Sequence, residues 1–457
     1  MTVLPNSPYS RDVEFHLHPQ TNGRLHEATG PQIITRGEGI YVHDLDGSRY
    51  IEGMSGLWCA SLGFSNRRLA DAAHRQMLEL PYQQIFAHRG TEPSINLAEA
   101  LVARAPAGLT KAMFQSSGSE GVDTAIKLVW YYHAAIGKPE KSKIIGRMRA
   151  YHGTTIGSAS LTGLPNMHKG WGLPLPGFVH VSCPHHYRFA LEGETEAAFA
   201  ERLAAELEAT ILREGPDTVG AFFAEPVMGT GGVIVPPAGY FDLIRPILRK
   251  YDVLMVADEV ICGFGRTGHY WGCDAFGIKP DMLVCAKGLS SAYFPISAVL
   301  LSDAIYQVIA DQSHTLGGFG HGYTYGGHPV GAAVALETLA IYDEIEVVAR
   351  AKRLGVQLQA GFQALASHPL VGEARGIGMM AALELVADKA AKTAYPPEVK
   401  VAARVAEALK ARGVLLRALG ETLLCAPPLI IEAEEVEVIL AAIKAALDQV
   451  WHEIQAA

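Results

Sequence analysis

The sequence predicts an α/β protein with a mostly parallel central sheet and a second, smaller lobe. Three observations carry that expectation. From about residue 60 to about 330, short apolar runs alternate with stretches of helical periodicity. The runs are continuous rather than alternating and are bounded by Gly, Pro or charge, as suits strands covered on both faces. Beyond residue 330 the composition shifts to Ala, Leu and Glu. A chain of 457 residues is also too long for one ordinary core.

Residues 31–56 read as strands. Ile40-Tyr41-Val42 and Arg49-Tyr50-Ile51 flank Asp44-Leu45-Asp46-Gly47, whose Asp-Gly supplies the positive φ of a hairpin turn. Helical stretches at 95–105 and 121–136 then alternate with apolar runs at 143–146, 178–181, 219–224, 253–257, 282–286 and 296–301. Strand–helix alternation over that length implies a parallel sheet. Near the end, Val436, Ile439, Ile443, Leu447, Val450 and Ile454 share one helical face that must pack on something. The expected organisation is an N-terminal segment over 1–60 contributing to the small domain, a large domain over 61–330 and a C-terminal small domain over 331–457.

Composition removes several function classes. A formal charge of -9, with no cluster of Lys and Arg, argues against nucleic acid or an anionic membrane as partner. No apolar run is long enough to span a bilayer, and the polar, proline-broken first twenty residues lack a secretory signal pattern. The six cysteines, Cys59, Cys183, Cys262, Cys273, Cys285 and Cys425, form no Cys-x-x-Cys pair and read as reduced, mostly buried thiols. His16-Leu17-His18 and Cys183-Pro184-His185-His186 each lack a second half at zinc-like spacing, so no metal is expected. The cytoplasm is the expected compartment.

Three motifs carry chemistry. Asp258 follows the run Leu254-Met255-Val256-Ala257, at the carboxyl end of an expected strand, where ligands bind in open α/β sheets. Alone, it reads more readily as a solvated loop acid. Lys287 follows Met282-Leu283-Val284-Cys285-Ala286 and precedes Gly288. A lysine there either snorkels to water or, partly desolvated, becomes a nucleophile toward aldehydes. Phe114-Gln115-Ser116-Ser117-Gly118-Ser119-Glu120 leads into a helix and reads as a phosphate cup, through backbone N–H groups, hydroxyls and the positive helix end. An ordinary serine N-cap gives the same string. Together the cup, the acid and the amine match the three handles of pyridoxal phosphate: its phosphate, its pyridine nitrogen and its aldehyde.

Longer strings point the same way. Residues 30–56, Met54-Ser55-Gly56-Leu57-Trp58-Cys59, Tyr151-His152-Gly153, Ala224-Glu225-Pro226-Val227, the run 257–268, Ala286-Lys287-Gly288-Leu289-Ser290-Ser291 and Tyr323-Thr324-Tyr325-Gly326-Gly327-His328-Pro329 span almost the whole chain. In them the sequence resembles the class III (omega) aminotransferases of fold type I, and within that class the pyruvate-dependent amine and ω-amino-acid enzymes. The resemblance implies a large domain with a mostly parallel sheet and a smaller α+β domain formed by both termini. It implies that Lys287 holds the cofactor as a Schiff base and shuttles the substrate proton, and that Asp258 pairs with the pyridine nitrogen. Val260 and Tyr151 would cover the two ring faces, with Tyr151 also touching substrate. Ser117, Gly118 and Ser119 would hold the phosphate, and Glu225 would orient the site. Thr324 would reach the phosphate of a neighbouring subunit, making a homodimer with shared sites, or a tetramer of such dimers. Trp58 and Phe86 would line the substrate pocket, and Arg417 would receive the substrate carboxylate. The partners are then an amine donor and a keto acid, with pyruvate converted to alanine by a ping-pong mechanism.

Two departures refine this. Relatives of the ornithine and γ-aminobutyrate type carry a glutamate where this chain has Thr230, which points away from a 2-oxoglutarate couple. Gln20 stands where many amine:pyruvate relatives carry an aromatic residue, favouring a longer or more polar amine. The competing readings are other class III chemistry (a 2-oxoglutarate-dependent aminotransferase, an aminomutase or a decarboxylating transaminase) and a non-catalytic cofactor-binding dimer. A nicotinamide dehydrogenase is a remoter reading, since Gly263-Phe264-Gly265-Arg266-Thr267-Gly268 spells a dinucleotide fingerprint but precedes a poor helix opening.

Overall fold

The computed structural model describes residues 6–456, so the first five residues of the polar N-terminal stretch lie outside it. Among the described residues, fifteen strands form three sheets. The central sheet holds β4 (Leu109–Gln115), β5 (Lys143–Arg147), β6 (Phe178–Val181), β7 (Val219–Ala224), β8 (Leu254–Asp258), β9 (Met282–Cys285) and β10 (Ser297–Ser302), in the order β4-β10-β9-β8-β7-β5-β6. Every neighbouring pair from β6 to β9 is parallel. Only β10 runs against the rest, pairing antiparallel with both β9 and β4. The segment between β9 and β10 is too short for a crossover helix, which is what a parallel neighbour would need.

The unalternating runs are explained by burial on both faces. Phe223, Val256, Val284 and Val299 pack with Val122, Ala125, Ile126 and Val129 of the helix Gly118–Ala135. Their chain neighbours Phe222, Ala257, Leu283 and Leu300 join the larger core on the other face. Truncating such a residue, Phe223→Ala for instance, costs about 3–5 kcal/mol.

Two four-stranded sheets complete the fold. One comprises β1 (Ile34–Glu38), β2 (Tyr41–Asp44) and β3 (Arg49–Glu52), closed by β13 (Val414–Leu415), which pairs parallel with β3 through Ile51 and Val414. The other is antiparallel: β11 (Val371–Ile377), β12 (Met380–Leu385), β15 (Thr422–Cys425) and β14 (Arg417–Leu419). The hairpin turn is where Asp46-Gly47 predicted it, with Gly47 at φ 90°. The last helix, Ala433–Gln455, buries Val436, Ile439, Ile443, Leu447 and Val450, with Ile454 half-buried at its end.

Helix starts were the least legible boundaries. The stretch expected at 121–136 begins at Gly118, because Ser117 caps it by accepting the Glu120 N–H at 3.2 Å, a turn ahead of the first apolar residue. The helix expected at 95–105 is Glu92–Arg104, with Pro93 in the first turn where its missing N–H is no loss. The glycine-rich run 263–268 does not open a long helix; only the short helix Gly272–Phe276 follows. Its Arg266 is buried and donates to the carbonyls of Met379 and Pro427 at 3.1 and 2.6 Å and to Ser55 Oγ at 3.1 Å. That run stitches distant segments together and is no dinucleotide cradle.

Candidate active site

Because β4, β5, β7, β8 and β9 point the same way, their carboxyl ends share one edge of the sheet. That edge carries Ser117-Gly118-Ser119 after β4, Tyr151-His152 after β5, Glu225 after β7, Asp258 closing β8 and Lys287 after β9. Lys287 opens a 3₁₀ turn, Lys287–Leu289, with φ 47°. The turn is held in place by Tyr342, whose hydroxyl donates to the Gly288 carbonyl at 2.7 Å. A lysine in the left-handed region costs conformational energy and persists only where its surroundings fix it.

Asp258 is buried, and both its oxygens are engaged. Oδ2 lies 2.7 Å from Nδ1 of His152, and Oδ1 accepts the Val260 N–H at 3.1 Å. Glu225, also buried, accepts the Tyr151 N–H at 3.0 Å and the Gly229 N–H at 2.9 Å, tying the strand end of β7 to the loop that bears the aromatic ring. Burial pushes the Glu225 carboxyl up, although two N–H donors oppose it. Burial likewise lowers the Lys287 amine from its ordinary 10.5, against the pull of the Asp258 and Glu225 charges. The Tyr151 hydroxyl is raised by burial and by the Asp258 charge.

A cavity of about 380 Å³ opens beside this edge, lined by Gln20, Trp58, Tyr151, Thr230, Lys287 and Arg417 among others. Arg417, the first residue of β14, makes no ion pair among the described residues; burial lowers its pKa, and only the Tyr151 hydroxyl counteracts this electrostatically. The Trp58 indole N–H is buried and has no acceptor among the described residues. Gln20 donates from Nε2 to Met167 Sδ at 3.2 Å.

Of the sequence-predicted residues, this arrangement brings together Gln20, Trp58, Tyr151, Lys287 and Arg417 around one cavity, with Asp258, Val260, Glu225 and Ser117–Ser119 along the sheet edge. Phe86 does not line this cavity within its own chain. It is half-exposed in a separate groove with Gly322, Tyr323 and Phe114, because 81–91 is an irregular segment packed on the loop after the helix Asp303–Leu316. Thr324, on that loop, is exposed, and its carbonyl accepts from the Tyr82 hydroxyl at 2.8 Å. Several residues escaped the sequence reading, among them His152, Arg149 and Met167. His152 had a signal, its place beside Tyr151; Arg149 and Met167, which line the cavity, had none.

A half-buried lysine close to a buried carboxylate, beside a glycine-serine helix start, defines a pyridoxal-phosphate enzyme. Comparison with known proteins narrows this. The family model for aminotransferase class-III matches residues 25–447. A γ-aminobutyrate transaminase of Solanum lycopersicum, mitochondrial, is 48% identical over 92% of this chain and 82% of its own. The omega transaminase of Pseudomonas jessenii, solved in complex with PMP, is 51% identical with a TM-score of 0.97, covering 98% of this chain and 99% of that one. A thermostable omega transaminase variant, W58M/F86L/R417L, engineered for the synthesis of bulky amines, is 50% identical with a TM-score of 0.97, over 98% of this chain and all of that one. The chain belongs to the class III aminotransferases, and its cofactor is pyridoxal phosphate. The residues present fit that group. A Cβ on Gly118 would lie 3.1 and 3.2 Å from the Val260 methyls and would have to push them aside, so this tight position suits the bare backbone of a glycine at the helix start.

Proposed function

We propose that the protein moves an amino group from an amine or ω-amino acid to pyruvate, giving alanine, in two half-reactions at one site. The observation that carries this reading is Arg417, an unpaired cation lining the cavity with Thr230, and no carboxylate, at the position where glutamate-using relatives hold their arginine aside. A keto acid needs one cation; an alkyl amine is penalised by a buried unpaired one. Arg417 therefore pairs with the carboxylate of pyruvate or alanine and turns outward for amines.

When bound, the cofactor supplies an electron sink for the carbon that loses its proton. The chain does the rest. Lys287 holds the cofactor covalently through its amine and, when released, carries the proton between substrate and cofactor. Asp258 keeps the ring nitrogen protonated, and His152 and the Val260 N–H hold that carboxylate in place. Tyr151 and Val260 would cover the ring faces and exclude water. Ser117, Gly118 and Ser119 bind the phosphate, and Glu225 fixes the loop bearing Tyr151. Trp58 and Gln20 shape the donor side of the cavity.

Phe86 and Thr324 act, on this reading, in the site of a second copy. The support is their exposure, with Thr324 hydrogen-bonded to Tyr82 beside Tyr325 and Phe86 in a groove that Lys287 does not line. The engineered variant altered at Trp, Phe and Arg supports a pocket role for Trp58, Phe86 and Arg417, which carry the same residue types at the same numbers here. Six unpaired cysteines support a reducing compartment such as the cytoplasm.

A narrower reading, γ-aminobutyrate as the donor, has its support in the names of the relatives. Arg149 lines the same cavity and, like Arg417, has no acidic partner among the described residues. It gives a donor with a remote carboxylate a second cation. Amines and ω-amino acids assayed with pyruvate and with 2-oxoglutarate test the proposal: turnover is expected with pyruvate, and a clear preference for 2-oxoglutarate overturns it.

A further inference from the structure

His16-Leu17-His18 has no second ligand pair at zinc-like spacing in the sequence, but the fold supplies the missing groups. The helix Pro8–Phe15 is capped by His16, and Asp12 stands one turn back on the same face. The chain then reverses, and the helix Gly23–Thr29 brings His26 onto the same carboxylate. Nδ1 of His16 lies 3.4 Å from Asp12 Oδ2, and Nε2 of His18 lies 2.8 and 3.0 Å from Oδ1 and Oδ2. Nε2 of His26 lies 3.0 Å from Oδ1. The ring centroids of His16 and His18, and of His18 and His26, are 4.3 Å apart.

Three imidazoles converge on one carboxylate, with neighbouring rings 4.3 Å apart. Each neutral ring donates an N–H to Asp12 or, in its other tautomer, directs a lone pair to the same point. A divalent cation uses both the lone pairs and the carboxylate. One donor atom each from Asp12, His16 and His18 lie within 4.8 Å of one another. Ligands of a tetrahedral zinc ion are about 3.3 Å apart, so a small side-chain shift closes the set.

We infer that Asp12, His16 and His18 bind a divalent transition-metal ion of the zinc class, with His26 holding the second oxygen of Asp12 and the fourth position open to water. The site reaches the substrate cavity through the chain itself. Gln20, two residues beyond His18 and at φ 54°, sits in the reversal between the two helices and lines the cavity. An ion fixing His16 and His18 restrains the segment that presents Gln20. The ion site stands without the amino-transfer reading; its effect on donor binding rests on it.

The test is calorimetric titration of zinc into the metal-stripped holoenzyme, beside His16→Ala, His18→Ala and Asp12→Ala. One tight equivalent per chain is expected in the parent, weakened about tenfold or more in each variant. Exposed His16 gives a variant that folds even if Asp12→Ala does not. Zinc should raise the melting temperature of the parent alone, and lower its KM for the amine donor without changing kcat. Equal binding by parent and variants, or none by the parent, overturns the site. Binding with an unchanged KM overturns its link to Gln20.

Discussion

His152 and Asp258 form a buried pair in which the imidazole Nδ1 stands 2.7 Å from the carboxylate Oδ2, while the other ring nitrogen, Nε2, is left without a partner. The carboxylate is thereby fixed from two sides, by this ring and by the Val260 N–H. Asp258→Asn is expected to keep the cofactor bound but to lose most of the turnover, because an amide cannot hold a proton on the ring nitrogen. Turnover near that of the parent in the purified, cofactor-loaded variant would assign the acid another part.

Removing the ring tests positioning. His152→Ala strips Asp258 of one charge-assisted hydrogen bond, worth about 1.5–3 kcal/mol, or about ten- to a hundredfold in rate if it is spent on orientation. The loss should be smaller than in Asp258→Asn and accompanied by a shifted absorbance of the bound cofactor. An unchanged spectrum with a large drop in melting temperature would mean that His152 serves the fold only.

Lys287 is the expected attachment point. Borohydride reduction of the holoenzyme should leave pyridoxal phosphate on the peptide containing Lys287, and Lys287→Ala should bind cofactor without completing transamination. Burial lowers the Lys287 amine, so its neutral, nucleophilic fraction grows at lower pH than for an exposed lysine. Cofactor capture by the apoenzyme should therefore rise with pH and level off below the ordinary 10.5. A label on another lysine, or a plateau only at or above that value, counts against the assignment.

Arg417→Ala separates the two half-reactions. Loss of a half-buried charge-assisted pair should weaken turnover of pyruvate and alanine by about 2–4 kcal/mol. Amine-form conversion by a simple monoamine should be far less affected. Equal losses in both would make Arg417 structural.

Arg149→Ala asks whether the second cation reads a remote carboxylate. The KM for an ω-amino acid should rise about tenfold, as for one lost charge-assisted bond, while the KM for a monoamine of the same length stays put. Parallel changes for both donors would remove Arg149 from recognition.

The sequence by itself determined the chemistry that lies next to a strand end. Asp258 and Lys287 each follow a fully apolar run, and Ser117-Gly118-Ser119 opens a helix; such local signals survive folding because a strand covered on both faces announces its own end. Parallel order then had to bring those ends to one edge. What lies across the chain was not legible. The His152 partner of Asp258 is 106 positions away, Met167 reaches Gln20 across 147, and Asp12 and His26 meet only because two helices fold back on each other. Phe86 shows the same from the other side: within its own chain, packing places it in a groove apart from the cavity that holds Lys287. Spacing along a chain fixes neighbours only within a turn or a strand pair; at longer range the register of sheets and the reversal of loops decide which side chains meet.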